Sequence, residues 1–259
     1  MNLHFYKYQG TGNDFILIDN RQTQLQLSTS QVARLCDRRF GIGADGLMLL
    51  EDAAGYDFGM IYYNSDGNES TMCGNGGRCI TAFARQLQLI SDSAFFKAID
   101  GPHHAQFTAS GLVALEMNDV DNISHFDGYS ILNTGSPHYV LWTEQAAQTD
   151  VFNLGRAIRN QPDFMPKGIN VNFAEQREDG SIFVRTYERG VEAETYSCGT
   201  GVTACAIAAT GSLTGDFDTA IVTPGGDLRV AFRKDSAGTA VNVLLTGPAS
   251  FVYDGTINL

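Results

Sequence analysis

Met72-Cys73-Gly74-Asn75-Gly76-Gly77-Arg78-Cys79 and Ser197-Cys198-Gly199-Thr200-Gly201-Val202-Thr203-Ala204-Cys205 are one idea written twice. Each is a Cys-Gly-polar-Gly turn running into an apolar stretch. Cys73 and Cys198 stand 125 residues apart, about half the chain. A duplicated turn with one thiol per copy predicts two similar domains, with matched thiols facing each other across the cleft between them. That arrangement suits a reaction needing one base on each face of a single carbon.

Both stretches predict helices. After the first turn, Cys79/Ile80, Phe83 and Leu87 recur with helical spacing. After the second, Val202 to Ala209 is a small, apolar run, the mark of a fully buried helix, and Gly211 suits its C-terminus. A cysteine at a helix start lies beside amides the helix cannot pair and the positive end of its dipole. Both favour the thiolate. The same amides can grip a carboxylate, and the glycines let a ligand approach the backbone closely. A lone cysteine is more often a small buried hydrophobe. That reading fits Cys36, Cys79 and Cys205, which sit in apolar helical patterns. Zinc is not expected: there is no Cys-x2-Cys pair, and the histidines are not at ligand intervals.

The bulk numbers narrow the function classes. The chain of 259 residues with 43% hydrophobic content has a normal globular core and room for two domains. A net charge of −12 argues against nucleic acid or an anionic membrane as partner. No stretch is long enough for a transmembrane helix, and the first residues lack a signal-peptide pattern. Five cysteines without a secreted-scaffold spacing point to a reducing, cytoplasmic setting.

Along the chain, Leu3 to Tyr8, Phe15 to Ile18, Gly46 to Glu51 and Phe58 to Asn64 read as strands. Thr29 to Cys36 reads as a helix capped by Ser28. Asn64 to Asn68 is a turn, and residues from about Ala94 to Glu116 alternate weakly as further strands. In the second half Tyr139 to Trp142, Val171 to Ala174, Ile182 to Tyr187, Leu228 to Phe232 and Val241 to Leu245 read as strands. Val151 to Arg159 reads as a helix. Ala249 to Tyr253 is placed to return to the first domain. Few parallel-crossover signals point to α+β, each domain a curled, mostly antiparallel sheet or barrel around a central helix. The expected domains are 1–116 with 248–259, and 117–247.

Other polar groups sit in turns: Asn13, Asn64, His138 after Pro137, Asn170 and Glu188-Arg189. Asn in a glycine-rich turn is often only a turn residue, and a Glu-Arg pair is often a solvated surface pair. Here Arg189 lies nine residues before Cys198, at the end of a strand. Arginine forks onto carboxylates and glutamate accepts from an ammonium group, so together they suit an amino-acid head group.

These residues, in this order, resemble the diaminopimelate epimerase family of cofactor-independent amino-acid epimerases. The resemblance runs through Gly10-Thr11-Gly12-Asn13-Asp14-Phe15, Gly41 to Gly46, Asn64-Ser65-Asp66-Gly67 and the first Cys-Gly turn. It continues through Pro137-His138, Asn170-Val171-Asn172-Phe173, Tyr187-Glu188-Arg189-Gly190 and Glu194-Thr195 to the second turn. It implies Cys73 and Cys198 as the catalytic pair and the substrate α-carboxylate on the backbone of Gly74-Asn75 and Gly199-Thr200. It implies Asn13, Asn64, Asn170, Glu188 and Arg189 around the unreacting amino-acid end, with no cofactor and no metal. His138 and Ser136 are candidate supporting residues. The implied partner is a small amino-acid substrate, and a homodimer is the candidate assembly. Two departures stand out. Ser136 replaces the Asn that many members carry before Pro-His. Gly190-Val191-Glu192-Ala193 replaces Gly-Ala-Gly, adding an acid at Glu192.

Two other readings compete. A proline-racemase-like enzyme also has paired cysteines, but typically has His where this chain has Asn75, and lacks Glu188-Arg189-Gly190. A thiol switch explains paired cysteines but not the carboxylate grips, and it would tolerate loss of Arg189.

Overall fold

The computed structural model describes residues 2–259. Cα packing divides the chain into two compact units: the described residues up to Leu115 with Pro248–Leu259, and Glu116–Gly247.

In the first unit the strands are β1 (Asn2–Gly10), β2 (Asn13–Asp19), β3 (Gly46–Glu51), β4 (Phe58–Asn64), β5 (Glu69–Ser70), β6 (Ser93–Ala98), β7 (Gly101–Phe107) and β8 (Val113–Glu116). Its helices are α1 (Thr29–Cys36) and α2 (Gly74–Gln86). The C-terminal strand Ser250–Asn258 pairs with β1. From that strand the sheet runs β1, β2, β3, β4, β6, β7, β8, with β5 as a short addition on β4. All neighbours are antiparallel except β2/β3 and β4/β6.

The second unit repeats this plan. Its strands are β9 (Ile123–His125), β10 (Tyr129–Asn133), β11 (Pro137–Trp142), β12 (Asn170–Gln176), β13 (Ile182–Glu188), β14 (Ala193–Thr195), β15 (Gly215–Thr223), β16 (Gly226–Lys234) and β17 (Val241–Gly247). Helix α3 (Val151–Arg159) joins β11 to β12, and α4 (Gly199–Ala209) lies between β14 and β15. The order is β9, β10, β11, β12, β13, β15, β16, β17, with β14 added on β13. Again only the third and fifth pairings, β11/β12 and β13/β15, are parallel. The last strand of the chain, β18 (Ser250–Asn258), takes in the first unit the place β9 takes in the second.

The sheets are mostly antiparallel, as expected, with two parallel pairs in each unit. Each is spanned by a helix, as parallel neighbours require. The crossovers cover both sheet faces, so the inner strands read as continuous apolar runs and hide the alternation that would betray them. In Phe15-Ile16-Leu17-Ile18 every residue is buried: Ile16 and Ile18 pack in the cluster with Val32 and Leu35 of α1. The opposite face receives α2, where a Cβ on Gly76 would meet Met48 and Phe15.

Helix α4 has no polar face. Val202 and Ala204 to Ala208 share one core cluster with Val140, Ala174, Val184, Ile221, Val230 and Leu245, contributed by strands on every side. This is the central helix the small-residue run predicts. Gly211, just past the C-cap Thr210, has φ +53, the left-handed stop expected of it. Ser28 caps α1 as anticipated, with Gln31 closing a reciprocal capping box. Strands β5, β9, β10, β14 and β15 are additional to the elements read from sequence. In β15, Gly215 to Thr219 carries two aspartates along a mostly exposed edge, which masks the strand signal.

Candidate active site

In each unit the Cys-Gly turn becomes the N-terminus of the inner helix. Cys73 is the N-cap of α2, and its Sγ accepts from the Gly76 amide at 3.4 Å. Cys198 is the N-cap of α4. Both have extended backbone, with φ −106 and −113, so each thiol sits outside the helix at its positive end. Cys73 is half-buried and Cys198 buried.

The other three cysteines are chemically quiet. Burial pushes the Cys36 and Cys79 thiols up to about 12, and it raises Cys205 well above its ordinary value. The small-hydrophobe reading of these residues stands.

The predicted polar residues gather at matching strand ends. In the first unit Asn13 opens β2, and Asn64 closes β4 opposite Gly46, the first residue of β3. The Asn13 amide donates to Asp45 Oδ2 at 2.7 Å, and its oxygen lies 3.8 Å from Cys73 Sγ and 3.4 Å from Asn75 Nδ2. Asn13, Cys73 and Asn75 are therefore one cluster. Asn64 is exposed at the same end of the sheet, with no side-chain hydrogen bond to that cluster among the described residues. Asp45 is in turn held by Arg38 at 2.8 Å, as is Asp14 at 2.7 Å, and Lys7 pairs with Asp14 at 2.7 Å. Lys7 also donates to the Gly43 carbonyl.

In the second unit Asn170 opens β12 and Glu188 closes β13. Asn170 donates to Ser136 Oγ at 2.8 Å and to the Pro137 carbonyl at 3.1 Å, and accepts from the Arg189 amide at 2.9 Å. Arg189 Nη2 reaches Ser136 Oγ at 3.3 Å. Ser136 thus joins the Asn170–Arg189 cluster although it is shorter than Asn. Glu188 accepts from Thr195 Oγ1 at 2.9 Å.

His138 is completely buried next to the second turn. Asn172 Nδ2 donates to His138 Nδ1 at 3.0 Å, which leaves the Nε2 hydrogen for Thr200 Oγ1 at 2.9 Å. Thr200 Oγ1 is 3.5 Å from Cys198 Sγ. Burial first, then the Arg189 charge, pushes the imidazole down to about 3. His138 is therefore a neutral hydrogen-bonding residue here and not a proton donor at neutral pH.

Sequence reasoning passed over Asn172, Thr11 and Arg78. Asn172 was legible: it lies two residues after Asn170 on the same strand, so both point to one face. Its Oδ1 accepts from Thr186 at 2.9 Å, so the whole amide is engaged. Arg78 is a charge inside an apolar helical run, bonded to Asn75 Oδ1 at 2.9 Å. Glu192 acquires a role. It binds Arg159 of α3 at 2.9 Å, Tyr187 Oη at 3.2 Å and the Gly190 amide at 3.0 Å, closing the loop after Arg189.

Among the described residues no group of His, Cys, Asp and Glu is arranged to hold a metal ion, and no helix is long and apolar enough to cross a membrane.

Two units of one topology, each presenting a cysteine at the mouth of its inner helix, define a duplicated fold that also occurs among solved enzymes. A Bacillus anthracis phenazine biosynthesis protein of the PhzF family superposes with TM-score 0.79 at 12% identity, each chain covered completely. A hydroxyproline epimerase from Agrobacterium vitis superposes with TM-score 0.71 at 15% identity, covering 99% of this chain and 91% of that one. At such identities the likeness is one of fold. Sequence goes further. The family profile described as diaminopimelate epimerase matches residues 5–122 and 130–252. The diaminopimelate epimerase of Flavobacterium psychrophilum is 50% identical, over 98% of this chain and all of its own. That of Chlorobaculum tepidum is 39% identical, over 96% and 99%. The chain belongs to the diaminopimelate epimerase family.

Proposed function

We infer that this chain interconverts LL- and meso-diaminopimelate without pyridoxal phosphate, in lysine and cell-wall precursor biosynthesis. The observation that carries the reading is the family match over nearly the full chain, joined to a cysteine at the N-terminus of each inner helix.

On this reading Cys73 and Cys198 are the two catalytic residues. One thiolate takes the α-proton and becomes a thiol. The other thiol gives its proton to the opposite face of the same carbon and becomes a thiolate. Configuration inverts and the protonation states of the sulfurs exchange. One thiolate and one thiol are needed, because two thiolates would repel and neither could donate. The α-carboxylate rests on the backbone at Gly74-Asn75 and Gly199-Thr200, where helix dipoles answer the charge that builds up as the proton leaves. Asn13, Asn64, Asn170, Glu188 and Arg189 hold the distal amino-acid end. Ser136 assists by fixing Arg189 and Asn170. His138 assists through Thr200, keeping that hydroxyl beside Cys198.

The corresponding cellular picture is a cytoplasmic enzyme acting on a small molecule, as a monomer or a homodimer. Asn75 and the Glu188-Arg189-Gly190 segment favour diaminopimelate over proline. The freshly reduced protein is incubated with LL-diaminopimelate, proline or hydroxyproline, without added cofactor, and products are resolved by chiral chromatography. Conversion of LL-diaminopimelate to the meso form, with no turnover of the cyclic amino acids, supports the reading. Turnover of proline or hydroxyproline with diaminopimelate untouched overturns it.

A further inference from the structure

The two opening turns differ in the charge of one buried group. Five residues past each cysteine the first unit has Arg78 and the second has Thr203. Both side chains are fully buried, and both bond the carbonyl of the glycine after the cysteine. Arg78 Nη1 donates to Gly74 at 3.1 Å and Thr203 Oγ1 to Gly199 at 2.9 Å. The position is structurally equivalent, but one occupant is neutral and the other carries a full charge that arginine does not lose in proteins.

Nothing negative answers that charge among the described residues. The remaining partners of Arg78 are Asn75 Oδ1 at 2.9 Å, Thr11 Oγ1 at 3.4 Å and the Pro248 carbonyl at 3.3 Å. The nearby carboxylates are committed elsewhere. Asp14 is paired with Lys7 and Arg38, and Asp45 with Arg38. Asp100, which accepts from the Met72 amide at 3.3 Å, is paired with His103 at 3.2 Å. A buried charge without a counter-charge is costly, and two thiols within its reach can become negative: Cys79, which burial pushes up to about 12, and the half-buried N-cap of the same helix, Cys73. Burial, the largest effect, lowers the Arg78 pKa, and negative charge on Cys79 and then on Cys73 raises it. Arg78 also fixes the Asn75 amide, whose Nδ2 faces Asn13 next to the Cys73 sulfur. Beside Cys198 the groups are different. His138 is neutral, and the Arg189 charge is adjacent in sequence to the Glu188 carboxylate.

We propose that Arg78 is a positioning residue that makes the two thiols unequal, so that the resting enzyme holds Cys73 as thiolate and Cys198 as thiol. The inference rests on the catalytic reading of the two cysteines.

The pH dependence of iodoacetamide alkylation tests it, read by peptide mass mapping. The Cys198→Ser protein reports Cys73 alone, and Cys73→Ser reports Cys198 alone. The midpoint of each profile measures thiolate formation and does not depend on how fast the buried sulfur is reached. The Cys73 midpoint is expected about one pH unit or more below that of Cys198. Adding Arg78→Gln should raise the Cys73 midpoint by about one unit or more and leave Cys198 unmoved. Arg78→Lys, which keeps the charge, should retain most of the difference. Equal midpoints in the two parent proteins would overturn the proposal without any change at Arg78, so a poorly folding Gln variant does not protect it. An unshifted Cys73 midpoint in folded Arg78→Gln would overturn it too. Failure of the catalytic reading looks different: full epimerisation by Cys73→Ser or Cys198→Ser, whatever the alkylation order.

Discussion

Replacing Gly201 with alanine sets two opposed effects against each other. Gly201 lies in the first turn of α4, where alanine is favoured over glycine by about 1 kcal/mol from helix propensity. A Cβ built there, however, falls 2.4 Å from Asn172 Oδ1 and 3.3 Å from Cys198 Cβ. Asn172 is not the loose end of a flexible chain. It is fully buried and held by Thr186, His138 and the Tyr139 carbonyl. It must move by several tenths of an ångström, which costs about 1–3 kcal/mol as overpacking. The move stretches the Thr186 and His138 bonds, and each buried group left unsatisfied adds about 1–3 kcal/mol. The steric and polar costs win, for a net loss of about 2–4 kcal/mol after the helix gain. Urea denaturation of wild type and Gly201→Ala measures it, with Gly238→Ala as control. A Cβ on Gly238 meets nothing within 4 Å, so that change should stay within about 0.5 kcal/mol. Gly201→Ala should also lower activity, because Asn172 positions His138 and, through it, Thr200. A Gly201→Ala protein as stable as wild type would refute the reasoning that this glycine is required by close packing against Asn172.

Two further outcomes follow from the site. Arg189→Lys keeps a charge but loses the planar fork that Ser136 helps to aim, so KM for diaminopimelate should rise by about 10-fold or more. Steady-state kinetics showing an unchanged KM would misplace Arg189. His138 makes stability fall with acid. The unfolded chain binds its proton near the ordinary 6.5, whereas the buried ring resists until about 3. Its contribution is thus complete above the unfolded value and is lost as pH falls, by about 1.4 kcal/mol per unit below 6.5. Between about pH 7 and pH 5 wild type should lose about 2 kcal/mol more than His138→Gln in urea titrations. Equal losses would show that His138 is not held neutral by the fold.

The duplication was legible because both copies of the turn carry the same chemistry: cysteine as N-cap, glycine where backbone approaches closely, then an apolar run. Val202 to Ala209 revealed a central helix because a stretch without a polar face must be covered on all sides. What sequence did not reveal was how strands were joined. Phe15 to Ile18 and Leu47 to Leu50 are buried on both faces, so the period of two vanished and the parallel pairing with it. Strand β15 failed for the opposite reason, its aspartates lying on an exposed edge. Within the site, Asn172 and Arg78 stand inside regular elements, Asn172 signalled only by its spacing from Asn170 and Arg78 only as a charge in an apolar run. Their importance comes from partners distant in sequence: Asn172 meets His138 and Thr186, and Arg78 meets Thr11 and Pro248. Glu192 had no reading until Arg159 of α3 was seen to bind it.

The central claim is that two thiols act on one carbon. The most direct test is to incubate the reduced protein with LL-diaminopimelate in deuterated water, following α-deuterium incorporation and meso product together. Wild type should produce both. Cys73→Ser and Cys198→Ser should each lose epimerisation by about 100-fold or more, the scale of removing a positioned acid or base. Near-normal conversion by either variant, with the fold intact, would contradict the two-thiol account.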